Sequence, residues 1–281
     1  MKKIRFSILL VAAVLLLASC TKHKMWFPQD KMPENWAEFQ IHYYEPSANS
    51  ASYNMDTLYI NGEIYGSKDG GTTLQYNNGL PRAAYSVGKF YGVPAGSVNI
   101  KCMRKGVVVY DQNTTLTVGK QNVIIHDLNA APVVIDNGYP YWSKTAPTNV
   151  TNWNSDSVIK VKFVNLLYES PGVPYPGRLQ YQYKRRDYDQ WANVGEPVAF
   201  GEATAHETIV IHKTVFNSSG YQNVDYRILD ENGNILQVKS GTKMVDYSDY
   251  WTGYIGRVYI HFFRGYRTAA PNCAVSQWNS L

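Results

Sequence analysis

The chain has 281 residues, 27 of them Lys or Arg and 22 Asp or Glu, and 14% are aromatic, with Tyr contributing 23. Lys2, Lys3 and Arg5 belong to an N-terminal leader; without them 24 basic residues face 22 acidic ones, which excludes the concentrated basic face that binding a phosphate backbone requires. Low charge, abundant Tyr with Val, Ile and Thr, and no Leu- or Ala-rich amphipathic stretch after the leader predict an all-β exported protein of two domains.

The leader comes first in the chain. Lys2, Lys3 and Arg5 precede a mostly apolar run from Phe6 to Leu17. About a dozen residues fall short of the ~20 that span a bilayer as a helix, so residues 1–19 read as a removed signal peptide. The next residues, Leu17-Ala18-Ser19-Cys20, resemble the lipobox of bacterial lipoproteins. That resemblance implies acylation of Cys20, which becomes the mature N-terminus and ties the protein to a lipid bilayer. It also implies an outer-membrane address. Thr21, Lys22, His23 and Lys24 lack the acidic residues often found there in surface-exported Bacteroidetes lipoproteins, so a periplasm-facing anchor and a cell-surface anchor both stay open. Residues 20–36, with Pro28 and Pro33 and no period, form a tether.

Domain 1 is placed at residues 37–136. Phe39, Ile41 and Tyr43 alternate with Gln40, His42 and Tyr44, a strand pattern. Asn61-Gly62 between apolar runs predicts a hairpin with a type I′ turn. Further strands are expected at 85–91, 98–103, 107–110, 114–118 and 122–127, with Lys105-Gly106 as a tight turn. Residues 137–157 are rich in Asn, Pro, Ser and Thr and mark a linker. Domain 2 is placed at 158–268. Its strands are expected at 158–165, 179–184, 197–200, 208–215, 224–229, 235–239 and 256–263, with Asp230 to Gly233 as a turn. Residues 269–281 read as a tail.

The halves look like weak copies. IKCMRKGVVVYDQNTTLTVG in the first parallels YRILDENGNILQVKSGTKMV in the second. Short, closely spaced strands joined by turns predict antiparallel β-sandwiches. The stretches MDTLYINGEIYG, FYGVPAGSVNIKC, LTVGKQNVIIHDL, VKFVNLLYESPG, PVAFGEAT and IGRVYIHFFRGY resemble the DUF4397 group of exported bacterial proteins. This resemblance covers most of residues 37–268 and implies two tandem immunoglobulin-like sandwiches outside the cytoplasm, with no defined reaction. The VPYPGRLQYQYKRRDYDQW segment departs from the pattern.

Chemistry-bearing constellations are scarce. His206-Glu207 and His212 lack metal-binding helical spacing, and an extended chain holds the two imidazoles about 20 Å apart. Cys102 and Cys273 fall in different predicted domains and are expected to be free and buried rather than paired. Lys184, Arg185 and Arg186 read as a solvated strand end. No catalytic residue, metal site, cofactor or nucleic-acid partner is expected. Two acylation-independent features remain. Asp56-Thr57-Leu58 and Asp156-Ser157-Val158 match an Asp-Ser/Thr-aliphatic pattern that resembles Bacteroidetes O-glycosylation, making Thr57 and Ser157 candidate acceptors. YSDYWTGY reads as a loop in which Asp249, Tyr250, Trp251 and Tyr254 are candidate ligand contacts, against the simpler expectation that its rings fill space. The reading is a non-catalytic, membrane-anchored envelope lipoprotein with a structural or adhesive role and an unassigned protein or glycan partner. A carbohydrate-binding lipoprotein is the alternative, and a hydrolase with an unrecognised site the third.

Overall fold

The strands of the first half are β1 (Trp36–Tyr43), β2 (Thr57–Ile60), β3 (Glu63–Ser67), β4 (Asn78–Leu80), β5 (Tyr91–Pro94), β6 (Gly96–Arg104), β7 (Val107–Leu116), β8 (Gly119–Ile125) and β9 (Val133–Asp136). The second half holds β10 (Asp156–Ser170), β11 (Val173–Pro174), β12 (Gln180–Arg185), β13 (Ala192–Asn193), β14 (Glu207–His212), β15 (Tyr221–Leu229), β16 (Gln237–Ser240), β17 (Lys243–Asp246), β18 (Ser248–Tyr254), β19 (Val258–Tyr266) and β20 (Ala274–Asn279). This is a computed structural model, and it describes residues 33–81, 89–138, 156–186, 188–212, 221–254 and 256–280. Among the described residues there is no α-helix, and no helix is long and apolar enough to cross a membrane. Cys20 lies outside the described residues, as do Tyr139, Tyr141 and Trp142.

Each half is a sandwich of two sheets, and nearly the same arrangement of strands occurs twice, except that the strand flanking the end of the first inner strand follows β3 in the first half (β4) and directly follows β10 in the second (β11). In the first half an outer sheet runs β3-β2-β6-β7. The inner sheet runs β4-β1-β8-β9, with β5 beside the start of β1 and with β1 parallel to β8. In the second half the outer sheet runs β13-β12-β15-β18, and the inner sheet runs β11-β10-β19-β20, with β14 beside the start of β10 and β10 parallel to β19. Alternation buries Phe39, Ile41, Leu58, Ile60, Val98 and Ile100 in the first core. The second core gathers Phe163, Tyr181, Val224, Tyr226, Trp251 and Phe263. The second half also carries an insertion. The chain leaves the outer sheet at Leu236, whose N–H donates to Ile228 O (2.8 Å), makes the β16–β17 hairpin, and returns at Tyr247, whose N–H donates to Leu236 O (2.9 Å).

The turn chemistry follows the sequence. Asn61 (φ 51°) and Gly62 (φ 84°) join β2 to β3, and Lys105 (φ 51°) and Gly106 (φ 76°) join β6 to β7. Both are two-residue turns with positive φ at both centres, the type I′ signature that matches strand twist. Asp230 Oδ1 accepts from the N–H groups of Asn232 and Asn234, closing the DENG turn.

The central strands of the two inner sheets are buried on both faces. A third apolar cluster joins Tyr44, Ile124 and Ile135 of the first half to Val164, Leu166, Ile260 and Phe262 of the second. The His42 ring lies 4.8 Å from the Phe262 ring. Polar groups on these faces pair across the contact: Trp278 Nε1 donates to Gln40 Oε1 (2.9 Å), His126 Nδ1 pairs with Tyr168 OH (2.7 Å), and Lys162 Nζ donates to Asp136 O (2.6 Å). The order of layers is therefore outer, inner, inner, outer, and Glu34–Leu281 forms one compact unit. Burial on both faces is how parallel strand pairs are normally accommodated.

Several expectations need correction. Residues 269–281 are not a tail: β20 pairs with β19 from Arg264↔Ala274 to Tyr259↔Asn279. Residues 107–110 and 114–116 belong to one ten-residue strand, β7, which pairs with β6 along its length across a register shift at Cys102/Met103, and residues 117–118 lie beyond it. Residues 197–200 make only an isolated bridge, Leu179↔Val198. Of the expected strand at 85–91, residues 85–88 lie outside the described residues, and Tyr91 begins β5.

Candidate functional site

The YSDYWTGY segment is not a loop. It is β18, the edge strand of the outer sheet, paired with β15 from Tyr221↔Tyr254 to Arg227↔Ser248. The alternation of an edge strand then splits the four candidates. Trp251 points inward, is 5% exposed, and packs edge-on against His261 (4.6 Å) and Tyr259 (5.1 Å). Trp251 therefore offers no stacking face to a ligand, and the candidate assignment is corrected on that ground. Tyr250 points outward and is 56% exposed. Asp249 is exposed on the Trp251 side, accepts the Tyr250 N–H (2.8 Å), and lines a groove of about 390 Å³ with Tyr226, Thr252, Val275 and Gln277. Tyr254 pairs with Tyr221 (5.3 Å), and the Arg257 guanidinium covers its ring at 4.3 Å.

What Tyr250 joins is a layer of cations and aromatic rings on the outer face of the second sandwich. The strand register places Lys184 opposite Asp225, and Asp225 opposite Tyr250. One row over, Asn193, Gln182, Arg227 and Ser248 stand in line. Trp191, just before β13, reaches over this row. The Arg227 guanidinium lies 4.3 Å from its ring centroid and Lys184 Nζ 5.4 Å. Arg186 lies 5.1 Å from the Tyr250 ring and 3.2 Å from Asp225. Arg227 Nε donates to Gln182 Oε1 (2.8 Å), and Gln182 Nε2 to Asn193 Oδ1 (2.8 Å). Cation–ring contacts of this kind fix the orientation of both partners while leaving them at the surface. With strands ~4.8 Å apart, the Lys184 and Tyr250 backbones are separated by ~10 Å across the face.

Sequence reasoning took Lys184–Arg186 for a solvated strand end and missed Trp191. The signal available was the density of Tyr188, Trp191 and three cations in one short polar segment. What it could not supply was the cross-strand register that brings Arg227 beneath Trp191.

The buried titratable groups behave as core. Burial pushes the Cys102 and Cys273 thiols up to about 12, and each is free and sits in a different core. His42 is pushed down to about 4 by burial, against the opposing hydrogen bond to Asn122 Oδ1 (2.9 Å). His261 is pushed down to about 3 by burial and pairs with Tyr181 OH at 3.1 Å. His206 is lowered to about 4 by burial and then by Lys162 and Lys160. Among the described residues no three His, Cys, Asp or Glu come together as a metal site. Thr57 is half-buried in β2, opposite Ser67 and Met103. Ser157 lies in β10, with its side chain outside the described set.

No protein-family model matches this chain, and no curated protein matches it. Among solved structures, one similar chain is a leucine-rich repeat protein from Bacteroides thetaiotaomicron, at 9% identity and a TM-score of 0.20. The match covers 83% of this chain, which spans about a quarter (27%) of that one.

Proposed function

We propose that the protein is a non-catalytic, membrane-anchored envelope lipoprotein that works by contact, in a structural or adhesive role. The observation that carries this reading is the outer face of the second sandwich. It concentrates Trp191, Tyr250 and three cations on a surface held by a doubly buried scaffold. Contact surfaces are enriched in Trp, Tyr and Arg. His42, Cys102 and His261 are shifted by burial and packed inside the protein. That supports binding over catalysis. Lipidation of Cys20, proposed from the leader, tethers the two sandwiches to the outer membrane.

Two measurements test this. Cys20→Ser moves the protein from the detergent-extracted to the soluble fraction. The soluble mature chain then co-sediments with isolated cell envelopes, and the Trp191→Ala/Tyr250→Ala double variant does not. Equal sedimentation of parent and double variant overturns the assignment of this face.

A further inference from the structure

We propose that the Trp191–Tyr250 face binds an uncharged saccharide chain. The inference rests on the reading of this face as the contact surface and names its partner. Three features of the face select that chemistry.

The first is that no exposed aliphatic side chain stands among the outward positions of the paired strands β12, β15 and β18. The exposed outward positions of the paired strands include Gln182, Lys184, Asn223, Asp225, Arg227 and Thr252, and the one aliphatic residue of that parity on β15, Leu229, is only 8% exposed, while Val224, Tyr226 and Ile228 point into the core. The exposed apolar surface of these strands is aromatic ring, whose face suits the C–H face of a sugar. The second is charge. Arg186 pairs with Asp225 (3.2 Å) and Lys184 with Asp189 (3.2 Å). Two of three cations are thus already neutralised, which removes the excess positive charge that would favour an anionic polymer.

The third is shape. A pyranose presents a C–H face and a rim of hydroxyls that each donate and accept. Trp191 and Tyr250 offer rings whose amphipathic bodies suit the C–H face. The Gln182 and Asn193 amides, the Arg227 guanidinium and the Asp225 carboxylate are planar groups whose paired donors and acceptors suit hydroxyls. Their neighbours in the sheet hold them in fixed register, so little side-chain freedom is lost on binding.

The test uses the full mature chain carrying Cys20→Ser, electrophoresed in native gels containing soluble neutral glucan, mannan, xylan or galactan, with an anionic polysaccharide as control. At least one neutral polysaccharide retards the protein. Trp191→Ala and Tyr250→Ala each weaken that retardation at least tenfold, and Trp191→Phe restores most of it. Circular dichroism melts confirm that the variants are folded. No retardation by any neutral polymer overturns the proposal, as does retardation by the anionic one alone that vanishes in high salt. Envelope sedimentation separates the two levels. Binding lost after periodate oxidation of vicinal diols and kept after proteolysis supports the saccharide. Binding lost to protease but indifferent to periodate overturns the saccharide and leaves the contact reading standing. No envelope binding at all overturns both.

Discussion

At the residue scale, neighbouring side chains in β18 have opposite fates. Trp251 fills the second core, so Trp251→Ala costs about 3–5 kcal/mol, as large aromatic truncations in cores do. Tyr250→Ala lies on the surface and changes stability by less than ~0.5 kcal/mol. Chemical denaturation of both variants checks the contrast, and similar losses would contradict the register. The buried histidines give a pH prediction. His42, His206 and His261 are held neutral by burial, at about 4, 4 and 3, below the ~6.5 of an unfolded chain. Between those values the unfolded state binds more protons, so stability falls as pH falls. Their contribution is complete above pH ~6.5 and is lost progressively toward pH 4, at up to ~1.4 kcal/mol per pH unit for each ring. Melting temperatures from pH 7.5 to 4 check this; a flat profile is the contrary result. His261→Gln flattens the slope, because it removes one titrating ring.

At the element scale, two glycines are fixed by geometry. Gly62 holds φ 84° in the β2–β3 turn. Gly62→Ala keeps the hairpin but costs about 1–2 kcal/mol, the penalty of the left-handed region for a residue with Cβ. Gly265 is more constrained. It has φ 104°, and a Cβ there would stand 2.7 Å from Cys273 Cα and 2.8 Å from Asn272 O, which are backbone atoms of the segment leading into β20. Gly265→Ala therefore detaches β20 as well as straining β19, and its loss of stability exceeds that of Gly62→Ala. Thermal melts of the two variants rank them, and the reverse order would refute the argument. The turn at Asn61-Gly62 was legible in the sequence because it is local. The β20 strand was not, because its six residues show weak alternation and are ordered by pairing with β19.

At the scale of the whole molecule, the two inner sheets share one buried contact. Each fully buried Ile, Leu or Phe there contributes ~1.5–3 kcal/mol relative to water. The full chain therefore unfolds in a single calorimetric transition, whereas two well-separated transitions would show that the contact is weak. The separate halves, residues 34–138 and 156–280, each retain a core. Each then bares an apolar face and self-associates at micromolar concentration. Phe262→Lys, which charges that bared face, returns the second half to monomer in sedimentation velocity, and a fragment already monomeric without it would contradict the role of the third cluster.

The sequence by itself determined the all-β class, the repetition of the halves, the type I′ turn at Asn61-Gly62, the tight turn at Lys105-Gly106 and the free state of the cysteines. These depend on local periodicity, on residues able to adopt positive φ, and on the separation of Cys102 from Cys273. Tertiary structure alone decided the rest. Runs such as FQIHY place apolar residues on one face and polar residues on the other, and only the neighbouring sheet shows that Gln40 and His42 face a second sandwich rather than water. Likewise YSDYWTGY carries the same residues whether it is a loop or a strand. Pairing with β15 turned its alternation into an inside and an outside, sending Trp251 to the core and Tyr250 to the surface beside Trp191. Side-chain direction in a strand is fixed by register, and register is a property of two strands, which no single stretch of sequence contains.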